Sequence, residues 1–336
     1  MKKIFCLISL LVLAATAFAD GELQFAHIGN LTLQTGAILK NCEVGYRTFG
    51  KMDSKKDNVV LFPTWYLGKS ADLAGSIGPG KLLNSDKYYV IAVDALTNGV
   101  STSPSNSQSQ SDAKFPEVTI RDMVESQHRM LLQIGITHLK AVMGISMGGI
   151  QTFTWVTAYP NFMDDAIPIV GSPRPSSYDL MLYSSCLKAI KEAENHPSVK
   201  DGFIRAFADF FYLALETPTY FVSAVNSQDA IGSMKGFEMN LLQWDPYDMS
   251  AGMEALIHSD AFQPFGDSEL RAASGVKAKM LIINASQDHC VNPAPTLNFA
   301  KLLHAKTIVL HGDSGHSSPG EAVGMLSKAI SRFLSN

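Results

Sequence analysis

Lys140-Ala141-Val142-Met143-Gly144-Ile145-Ser146-Met147-Gly148-Gly149 is the stretch that decides the fold. Its first residues are a short apolar run of the kind buried inside a sheet, and residues 150–159 follow with a helical pattern. Between the two lies G-x-S-x-G. A strand-to-helix turn this sharp holds its serine in a strained backbone conformation, and Gly144 and Gly148 are needed because a side chain at either would strike neighbouring backbone. In that setting Ser146 is the candidate nucleophile. The plainer alternative is a structural serine at a helix N-terminus.

Working outward, further apolar runs occur at residues 58–63, 88–93, 166–170, 279–283 and 306–310, and residues 39–46 alternate as a strand does. Runs without polar alternation are buried on both faces, which is the mark of a parallel sheet. Helical patterns lie between them, as in residues 119–134, where Met123, Met130, Leu131 and Ile134 recur behind Thr119 and Asp122. The class is therefore α/β, a mostly parallel central sheet with helices on both faces. Two segments interrupt the rhythm. Residues 101–112 (STSPSNSQSQSD) read as a long solvated loop. Residues 173–274 are helical and aromatic, with Phe203, Phe207, Phe210, Phe211, Tyr212, Tyr220 and Phe221, and read as an inserted helical cap whose aromatics mostly pack between cap and sheet. The core is then expected in two parts, residues 20–172 and 275–336.

A serine hydroxyl is a weak nucleophile and needs a base in reach, itself oriented by an acid. After this kind of elbow the chain order is serine, acid, histidine. Asp288 follows the run at 279–283, just past the C-terminal end of a strand, and is the expected acid. His316 lies in the polar loop after the last run and is the expected base; His311 sits tight against a strand end and His289 shares a turn with the acid. The oxyanion formed on attack needs two backbone N–H donors. Met147 should give one, and the loop after the first core run, Trp65-Tyr66, the other, with Tyr66 preferred.

Composition bounds the rest. The chain has 336 residues, 46% hydrophobic and 17% charged, with 27 Lys and Arg against 31 Asp and Glu, which excludes a disordered or collagenous chain. A net charge of −4 without a long basic block gives no reason to expect nucleic acid. Residues 1–19 carry Lys2 and Lys3, an apolar stretch, and Ala17-Phe18-Ala19, the pattern of a cleaved secretory signal. The expectation is an exported, periplasmic or secreted protein with no stable membrane insertion after cleavage. Cys6 leaves with that signal, and the widely spaced Cys42, Cys186 and Cys290 offer neither a redox pair nor a metal framework, so no metal is expected. Gly75-Ser76-Ile77-Gly78-Pro79-Gly80-Lys81-Leu82 fits GxxxxGK but lacks the following Ser or Thr and does not follow a strand, so no nucleotide cofactor is expected.

With these residues placed, the sequence resembles the homoserine O-acetyltransferase family of α/β hydrolases over most of residues 20–336. The resemblance rests on Gly45-Tyr46-Arg47-Thr48-Phe49-Gly50, Ile77-Gly78-Pro79-Gly80-Lys81, Thr119-Ile120-Arg121-Asp122-Met123-Val124 and residues 144–151. It implies a Ser146/Asp288/His316 enzyme that passes through an acyl-serine. It also implies where a homoserine acceptor would be held: by an Asp immediately after the histidine, where Ser317 stands, and by an Arg seven residues before the tyrosine of a Thr-Tyr pair. With that pair placed at Thr219-Tyr220, Leu213 stands at the Arg position. Without both charges a zwitterion is costly to bury. Trp65, Tyr220 and Ser317 are thus candidate pocket residues, and the expected activity is hydrolysis of an ester or related acyl compound, with acyl transfer to a small alcohol as the alternative and a non-catalytic binding protein as a third reading. The expected partner is a small-molecule acyl substrate, with a homodimer the one protein association considered.

Overall fold

The computed structural model describes residues 20–335; the expected signal segment lies outside them. One sheet runs through the molecule in the order β1-β2-β4-β3-β5-β6-β7-β8. Its strands are β1 (Gln24–Thr32), β2 (Ile38–Phe49), β3 (Val59–Pro63), β4 (Tyr89–Val93), β5 (Leu139–Ile145), β6 (Met163–Ile169), β7 (Lys279–Ala285) and β8 (Lys306–Leu310). From β4 onward in that order all neighbours are parallel, while β1, β2 and β4 pair antiparallel at one end. The sheet is thus mostly parallel, as the apolar runs indicate.

The helices are α1 (Ser70–Leu73), α2 (Ile120–Gln133), α3 (Met147–Ala158), α4 (Ser177–Asn195), α5 (Lys200–Leu215), α6 (Pro218–Ala224), α7 (Ala230–Leu241), α8 (Pro246–Ile257), α9 (Glu269–Gly275), α10 (Pro293–Leu303), α11 (Ser318–Glu321) and α12 (Val323–Leu334). Alternate residues of each central strand feed opposite cores. Val59 and Leu61 of β3 and Val142 of β5 pack with Phe153 and Trp155 of α3 and Phe299 of α10. Val60, Phe62, Ala141 and Met143 pack on the other face with Leu326, Ile330 and Phe333 of α12. Helix α2 starts at a capping box in which Thr119 Oγ1 accepts the Asp122 N–H and Asp122 accepts the Thr119 N–H, so two of the donors orphaned by the helix start are satisfied.

Between β6 and β7 the chain is helical, and α4, α5, α7 and α8 share a third apolar core with Tyr66, Met147 and Ile150. Helix α9, within the range expected for the cap, packs instead against α3 and α10. Two sequence readings need correction. The reading has no strand at Gln24–Thr32, yet β1 pairs along β2. Residues 101–112 are not simply solvated. Ser101 and Ser103 are fully buried, because Ser101 Oγ donates to the Asp94 carbonyl at 2.7 Å and Ser103 Oγ to the Ser101 carbonyl at 2.6 Å. Cys42, Cys186 and Cys290 are buried and unbridged, and burial pushes the Cys42 and Cys186 thiols up to about 12, which keeps them inert.

Candidate active site

Four strand ends converge on one place at the carboxyl edge of the sheet. Strand β5 ends at Ser146, whose backbone sits at φ 58°, ψ −123° as the N-cap of α3. The glycines around it are there for space: a Cβ on Gly144 would lie 2.1 Å from the Gly148 carbonyl oxygen, and one on Gly148 2.5 Å from that of Pro63. The loop after β7 brings Asp288, and the loop after β8 brings His316, 28 residues further on. The loop after β3 brings Trp65 and Tyr66.

His316 Nε2 lies 2.8 Å from Ser146 Oγ, and His316 Nδ1 lies 2.7 Å from Asp288 Oδ2. A carboxylate only accepts, so Nδ1 carries the hydrogen and Nε2 turns its lone pair to the serine hydroxyl. Asp288 is oriented in turn, since its other oxygen accepts the Cys290 and Val291 N–H groups at 2.8 Å each. Asp288 and His316 are buried. The Met147 amide opens α3, where helix geometry supplies no acceptor, and among the described residues neither it nor the Tyr66 amide has a hydrogen-bond partner.

Ser146 and His316 open onto a cavity of about 680 Å³. Trp65, Leu82, Ile145 and Val323 line it from the core side, and Phe211, Leu215 and Phe237 of the helices above, with Trp244 of the turn between α7 and α8, close it from the other. Its described lining contains no Lys or Arg. Trp65 and Ser317 are in that lining; Tyr220 is not. Nor does Leu213 bear on it. Leu213 is 56% exposed, on the far side of α5 from Phe211 and Leu215, which face the cavity one helical turn apart. Neither residue of the expected acceptor anchor in the helical layer, Leu213 or Tyr220, thus faces the cavity.

Two features here escape a reading of the sequence. Glu216, where α5 gives way to α6, has its carboxyl beside Ser317 with one buried oxygen that lacks a hydrogen-bond partner among the described residues, and burial pushes the carboxyl above the usual range. Next to it, the Thr217 hydroxyl donates to the Asp313 carbonyl, which ties the helical layer to the histidine loop. Behind the elbow, Gln151 of α3 donates to the carbonyls of both Thr64 and Met147. Nothing local in the sequence marks either one, because the partners come from distant elements.

Residues 58–322 match the family model of the alpha/beta hydrolase fold. The chain is 31% identical to a probable esterase of Corynebacterium glutamicum over 81% of its own length and 83% of that protein's. It is 28% identical to an ethyl acetate hydrolase of Pseudomonas veronii, over 84% and 85% of the two chains. A homoserine O-acetyltransferase of Nautilia profundicola is 36% identical, over 48% of this chain and 49% of the relative. Among solved structures, the acetyl esterase MekB superposes with a TM-score of 0.88 at 27% identity, covering 94% of this chain and 98% of that one.

Proposed function

The chain belongs to the α/β hydrolase fold family, and from that premise we propose that it hydrolyses neutral carboxylic esters through an acyl-Ser146 intermediate. The observation that carries this reading is the continuous relay from Ser146 through His316 to Asp288 at the mouth of an apolar cavity. Ser146 Oγ attacks the ester carbonyl carbon while its proton passes to His316 Nε2. The Tyr66 and Met147 amides receive the oxyanion, the alcohol leaves with the proton from His316, and water repeats the sequence to free the acid. Asp288 holds the imidazole in the right tautomer and faces the positive charge that forms on it.

Acyl transfer to an amino-acid alcohol is the second reading, and the homoserine O-acetyltransferase relatives favour it. Two observations support hydrolysis over it. Relatives named as esterase or ester hydrolase align with more than four-fifths of this chain, whereas that acetyltransferase aligns with about half. The described cavity lining also has no cation to pair with an amino-acid carboxylate, and an unpaired buried charge is costly. The test is product partitioning from p-nitrophenyl acetate with homoserine, serine or glycerol present. Acetate should dominate at every acceptor concentration; saturable diversion of most acyl groups to one alcohol would establish the transferase instead. We further propose that the protein is exported, supported by the sequence of residues 1–19, with Asp20 as the N-terminal residue to be found on the protein recovered outside the cytoplasm.

A further inference from the structure

Three fully buried side chains, Trp155, Gln127 and Gln151, form a chain of hydrogen bonds that ends on the two backbone segments flanking Ser146. Trp155 Nε1 donates to Gln127 Oε1 at 2.9 Å, Gln127 Nε2 donates to Gln151 Oε1 at 2.6 Å, and Gln151 Nε2 donates to the Thr64 carbonyl at 3.0 Å and the Met147 carbonyl at 3.2 Å. The direction of this chain is fixed from both ends. An indole N–H can only donate, and a backbone carbonyl can only accept, so neither glutamine amide can flip without leaving buried groups face to face unsatisfied.

We propose that Gln151 is a positioning residue, a clasp that sets the spacing of the two oxyanion donors; this rests on the hydrolase reading above. Thr64 precedes Trp65-Tyr66 on the loop after β3, and Met147 opens α3, so a single –NH2 group bridges the two segments that carry the Tyr66 and Met147 amides. They have no slack elsewhere: Gly148 already lies so close to the Pro63 carbonyl that no Cβ fits. Helix α2 contributes through Gln127, and Trp155, one turn beyond Gln151 on α3, sets the polarity of the whole relay. Donors held by packing and hydrogen bonds need no reorganisation when charge develops, which is where such a site gains rate. Substrate binding in the ground state does not call on that spacing.

The experiment compares wild type with Gln151→Met, which keeps length and volume but cannot donate, and with Trp155→Phe, which removes the relay's first donor. The readouts are kcat and KM for p-nitrophenyl acetate and the inhibition constant of a trifluoromethyl ketone. That ketone accepts Ser146 Oγ at its carbonyl carbon, the proton moves to His316 Nε2, and the alkoxide occupies the place of the oxyanion. Gln151→Met should lower kcat roughly 10- to 100-fold, between the loss of one hydrogen bond and of a whole oxyanion donor. It should weaken the ketone by a similar factor and leave KM close to wild type. Trp155→Phe should move the same two quantities in the same direction by less, and it carries the test if Gln151→Met does not fold. A folded Gln151→Met or Trp155→Phe protein with wild-type ketone binding would overturn the clasp, as would a fall in kcat without weaker ketone binding. A wild-type protein that binds the ketone no better than Ser146→Ala would overturn the hydrolase reading, and the clasp with it.

Discussion

At φ 58°, ψ −123°, Ser146 occupies backbone space that glycine adopts freely and other residues enter at a cost of about 1–3 kcal/mol. That strain turns the hydroxyl outward, and it can be measured by comparing two variants that both lack the hydroxyl. Ser146→Ala keeps the strain and Ser146→Gly releases it. Even after the greater unfolded-state freedom of glycine, the Gly variant should be the more stable by about 1 kcal/mol, read as a higher unfolding midpoint in denaturant. A Gly variant that unfolds before the Ala variant would contradict a strained elbow. The elbow is legible in sequence because its residues are local: Gly144 and Gly148 lie within two residues of Ser146, and the contact that excludes a Cβ at Gly144 is with Gly148 inside the turn itself. Gln151 and Glu216 are opaque for the opposite reason. Gln151 works through Thr64 and Gln127, and Glu216 lies beside the histidine loop, and no spacing rule links residues so far apart in the chain.

Helix α8 shows how an element can hold a site it does not enter. Tyr66 Oη donates to the Met249 carbonyl at 2.9 Å, and the Tyr66 ring lies so close to Gly252 that a Cβ there would come within 2.9 Å of it. The start of the helix is fixed to the core through Asp248, which accepts from the Ser105 amide at 2.9 Å and the Ser105 hydroxyl at 2.6 Å. Burial pushes the Asp248 carboxyl up to about 6, against about 3.9 for an unfolded aspartate. Because the folded value is raised, its contribution to stability is fully present below about pH 4 and is lost as pH rises through about 6, leaving an ionised buried group that costs about 3 kcal/mol. Asp248→Asn can keep both contacts, its oxygen accepting the amide and its –NH2 donating to the hydroxyl. It should melt higher than wild type at pH 8, with the gap closing towards pH 4. A variant less stable than wild type at pH 8 would contradict this. The same region marks where element reading fails. Residues 101–112 look solvated because composition does not distinguish a serine bonded to water from one bonded to Asp94 or Asp248. Strand β1 is hidden because it is an outer strand with one exposed face and a register shift at Gly29, which breaks the alternation. By contrast β3, Val-Val-Leu-Phe-Pro, is buried at every residue and reads directly.

Over the whole molecule, the parallel strand order gathers what the chain disperses. Trp65-Tyr66, Ser146, Asp288 and His316 follow β3, β5, β7 and β8, so residues up to 251 positions apart meet at one edge of the sheet, and the helices between β6 and β7 roof the cavity there. Chain order after the elbow pointed to Ser146, Asp288 and His316, which the structure brings within hydrogen-bond distance, serine to histidine and histidine to acid. The face of α5 that turns Phe211 and Leu215 to the cavity was not legible, since helical periodicity alone does not say which face of α5 meets the core. If the enzyme works as proposed, turnover runs through an ester bond on Ser146. Intact-protein and peptide mass spectrometry of samples quenched during turnover of p-nitrophenyl acetate tests it most directly. A single acetyl adduct is expected on the peptide containing Ser146, decaying to free acetate, with neither adduct nor turnover in Ser146→Ala. Steady turnover by Ser146→Ala, or an adduct carried by any other residue, would contradict it.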